Sequence, residues 1–86
     1  MANLEKTLKA LANRRRLAIV GHLKTHPEAT VGDLASAIKL SFRSTSKHLA
    51  VLLAADVVER EQRSLLMFYS LSTDPSRHLR RLLDLV

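Results

Sequence analysis

Apolar positions recur along this chain first with a helical period and then with a strand period. Leu4, Leu8 and Leu11 lie four and three residues apart, which predicts a first amphipathic helix over about 3–12, broken near Asn13. Asn13 is a fitting N-cap for a second helix with Leu17, Val20 and Leu23 facing inward, ending before His26-Pro27 because the residue preceding proline is pushed out of helical geometry. Thr30-x-x-Asp33 has the form of a capping box and opens a third helix with Leu34, Ala37 and Ile38 as its apolar stripe. Ser41 is the next cap, and a fourth helix is expected from Phe42 to Ala54, with Thr45, Leu49 and Leu52 on one face.

After Ala55 the period shortens to two. Val57–Glu61 and Leu65–Leu71 are expected as strands around Gln62-Arg63-Ser64, a hairpin without glycine. Leu65, Met67, Tyr69 and Leu71 would share one face, Leu66 and Phe68 the other. Past Asp74-Pro75, Leu79, Leu82, Leu83 and Val86 make a last helical stripe over about 75–86. The expected fold is mainly α with a small β-hairpin, in the order α-α-α-α-β-β-α, and residues 1–86 form one domain.

Composition narrows the function. An 86-residue chain has room for one core, and folding removes only about two-thirds of its unfolded surface from water, so a partner subunit would help it. With no cysteine, disulfides and thiolate metal sites are excluded. No apolar run is long enough to span a membrane, and the start, MANLEKTLKA, does not read as a secretory signal, so a cytoplasmic location is expected. The net charge is +6, and residues 1–50 carry all of it, with nine Lys/Arg against three acids; residues 51–86 hold five of each. From Leu34 to Ala55 there is no carboxylate. Such a one-sided field points to a polyanion, with nucleic acid the leading partner.

On the fourth helix, Arg43, Lys47, Ala50 and Ala54 fall opposite the core face, flanked by Ser44 and Ser46. A basic, small-residue face suits a major groove, where Arg and Lys reach guanine edges or phosphates. A short helix, the turn Lys39-Leu40-Ser41 and then this helix make a helix-turn-helix. Catalysis finds no support, because no nucleophile elbow, phosphate loop or acid pair is present; no enzyme and no cofactor is expected. The competing class is a winged helix used for protein–protein contact, for which Phe42 and Ala50 could be claimed.

The stretch from Leu8 to Leu71 resembles the ArsR (arsenic-repressor-like) winged helix-turn-helix regulators. The resemblance is carried by LKALANRRRLAIV, by TVGDLASAIKLSFRSTSKHLAVLLAADVVE and by FYSLS, with the Ser46-x-His48-Leu49 region its most specific part. It implies a homodimeric repressor on a pseudo-palindromic double-stranded DNA site. It implies DNA contact by Phe42, Arg43, Ser44, Ser46, Lys47 and His48, with Arg63 on the wing near a phosphate or the minor groove. It also implies a dimer interface from the first and last helices, through Leu4, Leu8, Leu11, Leu79, Leu82, Leu83 and Val86. Arg16 matches the family's regular Arg and is expected to fasten its helix to a neighbouring acid or to DNA backbone; His48 either bonds a nearby backbone group or donates to a phosphate.

Three departures carry expectations of their own. Lys39 and Asp56 stand where the family usually has glycine, and a left-handed Lys39 would carry a strain of about 1 kcal/mol. Thr45 stands where the family buries Val, so its hydroxyl is expected to bond back to a helix carbonyl. The hairpin lacks the usual Gly-Arg turn. Metal ligands are not expected: Val31–Ala35 replaces the family's cysteine site, Asp74, His78 and Asp84 do not complete its last-helix site, and His22 and His26 straddle a helix end. An effector is not identifiable.

Overall fold

The computed structural model describes residues 4–73, 81 and 83–85. Four helices and a hairpin follow one another: α1 Leu4–Leu11, α2 Arg14–Thr25, α3 Val31–Ile38, α4 Phe42–Ala54, β1 Val58–Arg63 and β2 Leu66–Leu71. Of the helix expected over 75–86, Leu79, Leu82 and Val86 lie outside the described residues.

The helices α2, α3 and α4 each start at a polar cap. Asn13 Oδ1 accepts the Arg15 and Arg16 N–H groups at 2.9 and 3.1 Å. Thr30 and Asp33 exchange side-chain-to-backbone bonds, both 3.1 Å, in a complete capping box. Ser41 Oγ accepts the Ser44 N–H at 3.1 Å. These bonds satisfy donors that a helix start leaves without partners, each cap contributing about 1 kcal/mol.

Two helices end in the same way. At the end of α3 the Leu40 N–H donates to Ala35 O (3.0 Å) and the Lys39 N–H to Ser36 O (3.3 Å), with Lys39 at φ 56°. At the end of α4 the Val57 N–H donates to Leu52 O (3.0 Å) and the Asp56 N–H to Leu53 O (3.1 Å), with Asp56 at φ 59°. Both are Schellman closures with a left-handed residue that is not glycine. Lys39 and Asp56 are therefore left-handed, as their places in the sequence suggested.

The core gathers Ile19, Val20 and Leu23 of α2, Leu34 of α3, Leu49 and Leu52 of α4, then Val57, Val58 and Tyr69, with Ala10, Leu11 and Leu83 closing it. Two helical stripes are rotated from expectation. Ile19 replaces Leu17 as the buried residue of α2, and Ala35 replaces Ala37 on α3. In both helices alternative stripes one or two residues apart are nearly equally apolar, so the packing of neighbouring helices decides between them. On α4 the expected face is the observed one: Thr45, Leu49 and Leu52 are fully buried. The Thr45 hydroxyl donates to Ser41 O at 2.8 Å, which keeps a polar group satisfied in the core.

The strands pair antiparallel from Val58↔Leu71 to Arg63↔Leu66, leaving Ser64-Leu65 as a two-residue turn. At the tip β1 thus runs two residues further than expected, β2 starts one residue later, and the turn is shorter. Ser64, at φ 58°, supplies the positive φ that type II′ turns need at their first central residue. Leu65, expected on one strand face with Met67, Tyr69 and Leu71, is instead 95% exposed in the turn. At the base of the hairpin Ala29 and Tyr69 exchange two backbone bonds, 2.9 and 2.8 Å, which lock β2 onto the α2–α3 connection.

Candidate nucleic-acid interface

α3, its left-handed turn and α4 form a helix-turn-helix with the hairpin as a wing beside it. Burial of Thr45, Leu49 and Leu52 fixes the rotation of α4, and the same rotation turns Arg43, Lys47, Ala50 and Ala54 to solvent. Ser44 and Ser46 are half-buried on the flanks, and Phe42 is 64% exposed at the first position of the helix. Among the described residues neither Arg43 nor Lys47 has an acidic partner, whereas Arg63 is paired with two carboxylates. The outward face of α4 is basic, small-residued and unneutralised.

His48 is half-buried at the edge of this face, where it meets Arg16 of α2. An Arg16 Nη lies 3.2 Å from His48 Nδ1. The remaining Arg16 donors reach the Ala10 carbonyl at 2.5 Å and the Lys9 carbonyl at 3.4 Å. Arg16 thus fastens its helix to the end of α1 and to α4 through carbonyls and an imidazole, rather than through an acid. The packed partner of His48 is a side chain, so of its two readings the one that bonds it to a backbone group is not what the structure shows. Partial burial, then the Arg16 and Arg15 guanidinium charges, hold the His48 pKa below the ordinary histidine value.

The wing is organised differently. Arg63 at the end of β1 is paired with Glu28 of the α2–α3 connection and, at 3.1 Å, with Glu61; its guanidinium lies 4.0 Å over the Phe68 ring. The carboxylates hold the Arg63 pKa above its usual value, chiefly through the hydrogen bond to Glu28. Nothing local in the sequence announced this cluster, since Glu28 and Arg63 are 35 residues apart.

His22 lies in the last turn of α2 and His26 is its C-cap. His22 and His26 stack with ring centroids 3.9 Å apart, and His26 Nδ1 lies 3.1 Å from the His22 carbonyl and 2.9 Å from Thr25 Oγ1. No group of three metal-ligating side chains occurs among the described residues.

Comparison with known proteins agrees with this geometry. A family model described as a helix-turn-helix domain matches residues 11–61. The transcriptional activator HlyU of Vibrio cholerae is 41% identical over 66 residues, which is 77% of this chain and 60% of HlyU. A structure of reduced HlyU from Vibrio cholerae superposes with a TM-score of 0.81 at 35% identity, covering 95% of this chain and 82% of that one. The chain belongs to the ArsR-type winged helix-turn-helix transcriptional regulators. Among ArsR-type structures, a homodimeric winged helix-turn-helix DNA-binding domain from Mycobacterium bovis, a possible ArsR-family regulator, aligns at TM-score 0.81 and 28% identity, covering 95% of this chain and 72% of that one. The transcriptional repressor PagR of Bacillus anthracis aligns at 0.78 and 27%, covering 95% and 93%.

Proposed function

We propose that this ArsR-type chain is a homodimeric repressor that binds a pseudo-palindromic double-stranded DNA operator through α4. The carboxylate-free Arg43/Lys47 face carries the reading, because an unneutralised basic helix face held outward by a buried opposite face is what a major groove accepts. Arg43 reads a base edge. Lys47, Ser44 and His48 meet phosphates, while Phe42 and Ser46 line the contact. Arg63 meets DNA only by exchanging Glu28 and Glu61 for a phosphate, which makes the wing the lesser contributor.

The homodimeric Mycobacterium bovis domain and the repressor PagR support the assembly and the sign of regulation; the activator HlyU shows that relatives also act positively. Leu4 and Leu8 are the outward leucines of α1, whereas Leu11 and Leu83 are already covered within the protomer. The partner therefore meets α1 chiefly through Leu4 and Leu8, together with the last helix. Paired α4 helices would enter successive major grooves roughly 34 Å apart.

The test is selection from random duplex DNA over a salt series. Convergence on a palindrome with a steep salt dependence is expected. Arg43→Ala should relax preference at one base pair by about 1–3 kcal/mol, and Lys47→Ala should weaken all sequences alike and flatten the salt slope by about one. Unselective binding that vanishes near physiological salt would refute the operator reading and favour protein contact through exposed Phe42 and Leu65.

A further inference from the structure

Arg16 lies in the first turn of α2, yet its guanidinium ties together three helices: the Ala10 and Lys9 carbonyls belong to the last turn of α1, and His48 belongs to α4. A guanidinium carries only donors and stays charged. The Arg16–His48 bond therefore requires an unprotonated, accepting Nδ1, and the proton of the neutral ring sits on Nε2. No partner for Nε2 occurs among the described residues, and the ring stands at the edge of the basic face of α4.

We propose that Arg16 is a positioning residue for DNA binding: by donating to Nδ1 it fixes the orientation and Nε2–H tautomer of His48, so that α4 presents a neutral, aimed donor to one backbone phosphate. The proposal rests on the DNA-binding reading and deepens it. It assigns His48 a hydrogen bond without a cation, so that contact releases no counterion. It also makes the aim of His48 depend on the end of α1, because the same guanidinium holds the Ala10 and Lys9 carbonyls. A change in the seating of α1 is thereby felt at the recognition helix through one side chain.

The experiment has two arms. In the free protein, nitrogen-15 NMR of the His48 ring should show the Nε2–H tautomer, and R16A should show a tautomer mixture. An Nδ1–H ring in the wild type, or an unchanged ring in R16A, would overturn the proposal with no DNA in the sample. R16Q replaces R16A should R16A fail to fold, and the wild-type tautomer needs no variant at all.

In the second arm, duplex affinity is measured for R16A, R16K, H48A and R16A/H48A. R16A and H48A should each weaken binding roughly 3- to 10-fold, the net worth of one hydrogen bond. The double variant should be no weaker than either single one, and the salt slope should stay that of the wild type. R16K should be as weak as R16A, because an ammonium cannot hold two carbonyls and a ring as a planar fork does. Retained affinity in R16K, additive losses in the double variant, or a slope reduced by about one in R16A would place Arg16 directly on a phosphate and overturn the positioning role. Absence of selective binding by the wild type would sink the DNA-binding reading and this role with it. The tautomer arm, read without DNA, separates that failure from a wrong Arg16–His48 geometry.

Discussion

Replacing Lys39 by glycine should stabilise the protein, although it removes a side chain. Lys39 occupies the left-handed position of the Schellman closure of α3, at φ 56° and ψ 50°. There an L side chain crowds the following carbonyl, at a cost of about 1–2 kcal/mol that glycine avoids. Glycine also gives the unfolded chain more freedom, which takes back about 0.4–1 kcal/mol. The net gain expected for Lys39→Gly is then roughly 0.5–1 kcal/mol, or about 2–8 °C in Tm for a domain of this size. Lys39 also shares a surface hollow with Arg14 and Arg15, so removing its charge relieves some like-charge repulsion. Lys39→Ala is therefore the necessary control, because it loses the same charge but keeps the Cβ. Thermal unfolding of the three proteins at one protein concentration, to hold any dimerisation fixed, should place Lys39→Gly highest and Lys39→Ala near the wild type. If glycine and alanine raise Tm equally, the strain argument fails and charge accounts for the effect. Asp56→Gly, at the equivalent closure of α4, should gain less, since Asp tolerates left-handed backbone better.

Two other perturbations address assembly and pH. Leu8→Lys, on the outward face of α1 at 46% exposure, should leave the protomer folded by circular dichroism but sediment as a monomer with weakened DNA binding; an unchanged dimer would remove Leu8 from the interface. His48 titrates lower in the folded protein than in the unfolded one, first through burial and then through Arg16 and Arg15. Below about pH 6.5 the unfolded state therefore binds more protons, so stability should fall on acidification through that region and be flat above it. Urea unfolding of His48→Gln should lack this component, and identical pH profiles for variant and wild type would refute it.

The helical part of the fold was legible because its signals are local. Asn13, Thr30 and Ser41 mark three helix starts by chemistry confined to a single turn, and the α4 boundaries follow from Ser41 and the stripe Thr45, Leu49, Leu52. Where two stripes were comparably apolar, as for Leu17 against Ile19, periodicity alone could not choose, because the answer lies on neighbouring helices. The hairpin tip is illegible in the sequence for a related reason. Without a glycine to mark the turn, Gln62 and Arg63 read as loop, whereas their pairing with Met67 and Leu66 makes them strand and forces Ser64 into positive φ.

The candidate interface divides along the same line. Its charge was visible in sequence because a carboxylate-free run on one helix needs no tertiary contact to remain unneutralised. What the sequence hid is which cations are already engaged. Arg43, Lys47 and Arg63 are all exposed, but Glu28 and Glu61 satisfy Arg63, and Phe68 lies against its guanidinium. A phosphate approaching Arg63 must displace carboxylates that already supply the same charge-assisted bonds, whereas at Arg43 and Lys47 it displaces only water. The net electrostatic gain is correspondingly larger on α4, and the acids on β1 oppose the approach of a polyanion to the wing. Under the proposed function the wing then serves first to brace the helix-turn-helix, through the Ala29–Tyr69 bonds and the Glu28–Arg63 pair, and the reading of DNA falls to α4.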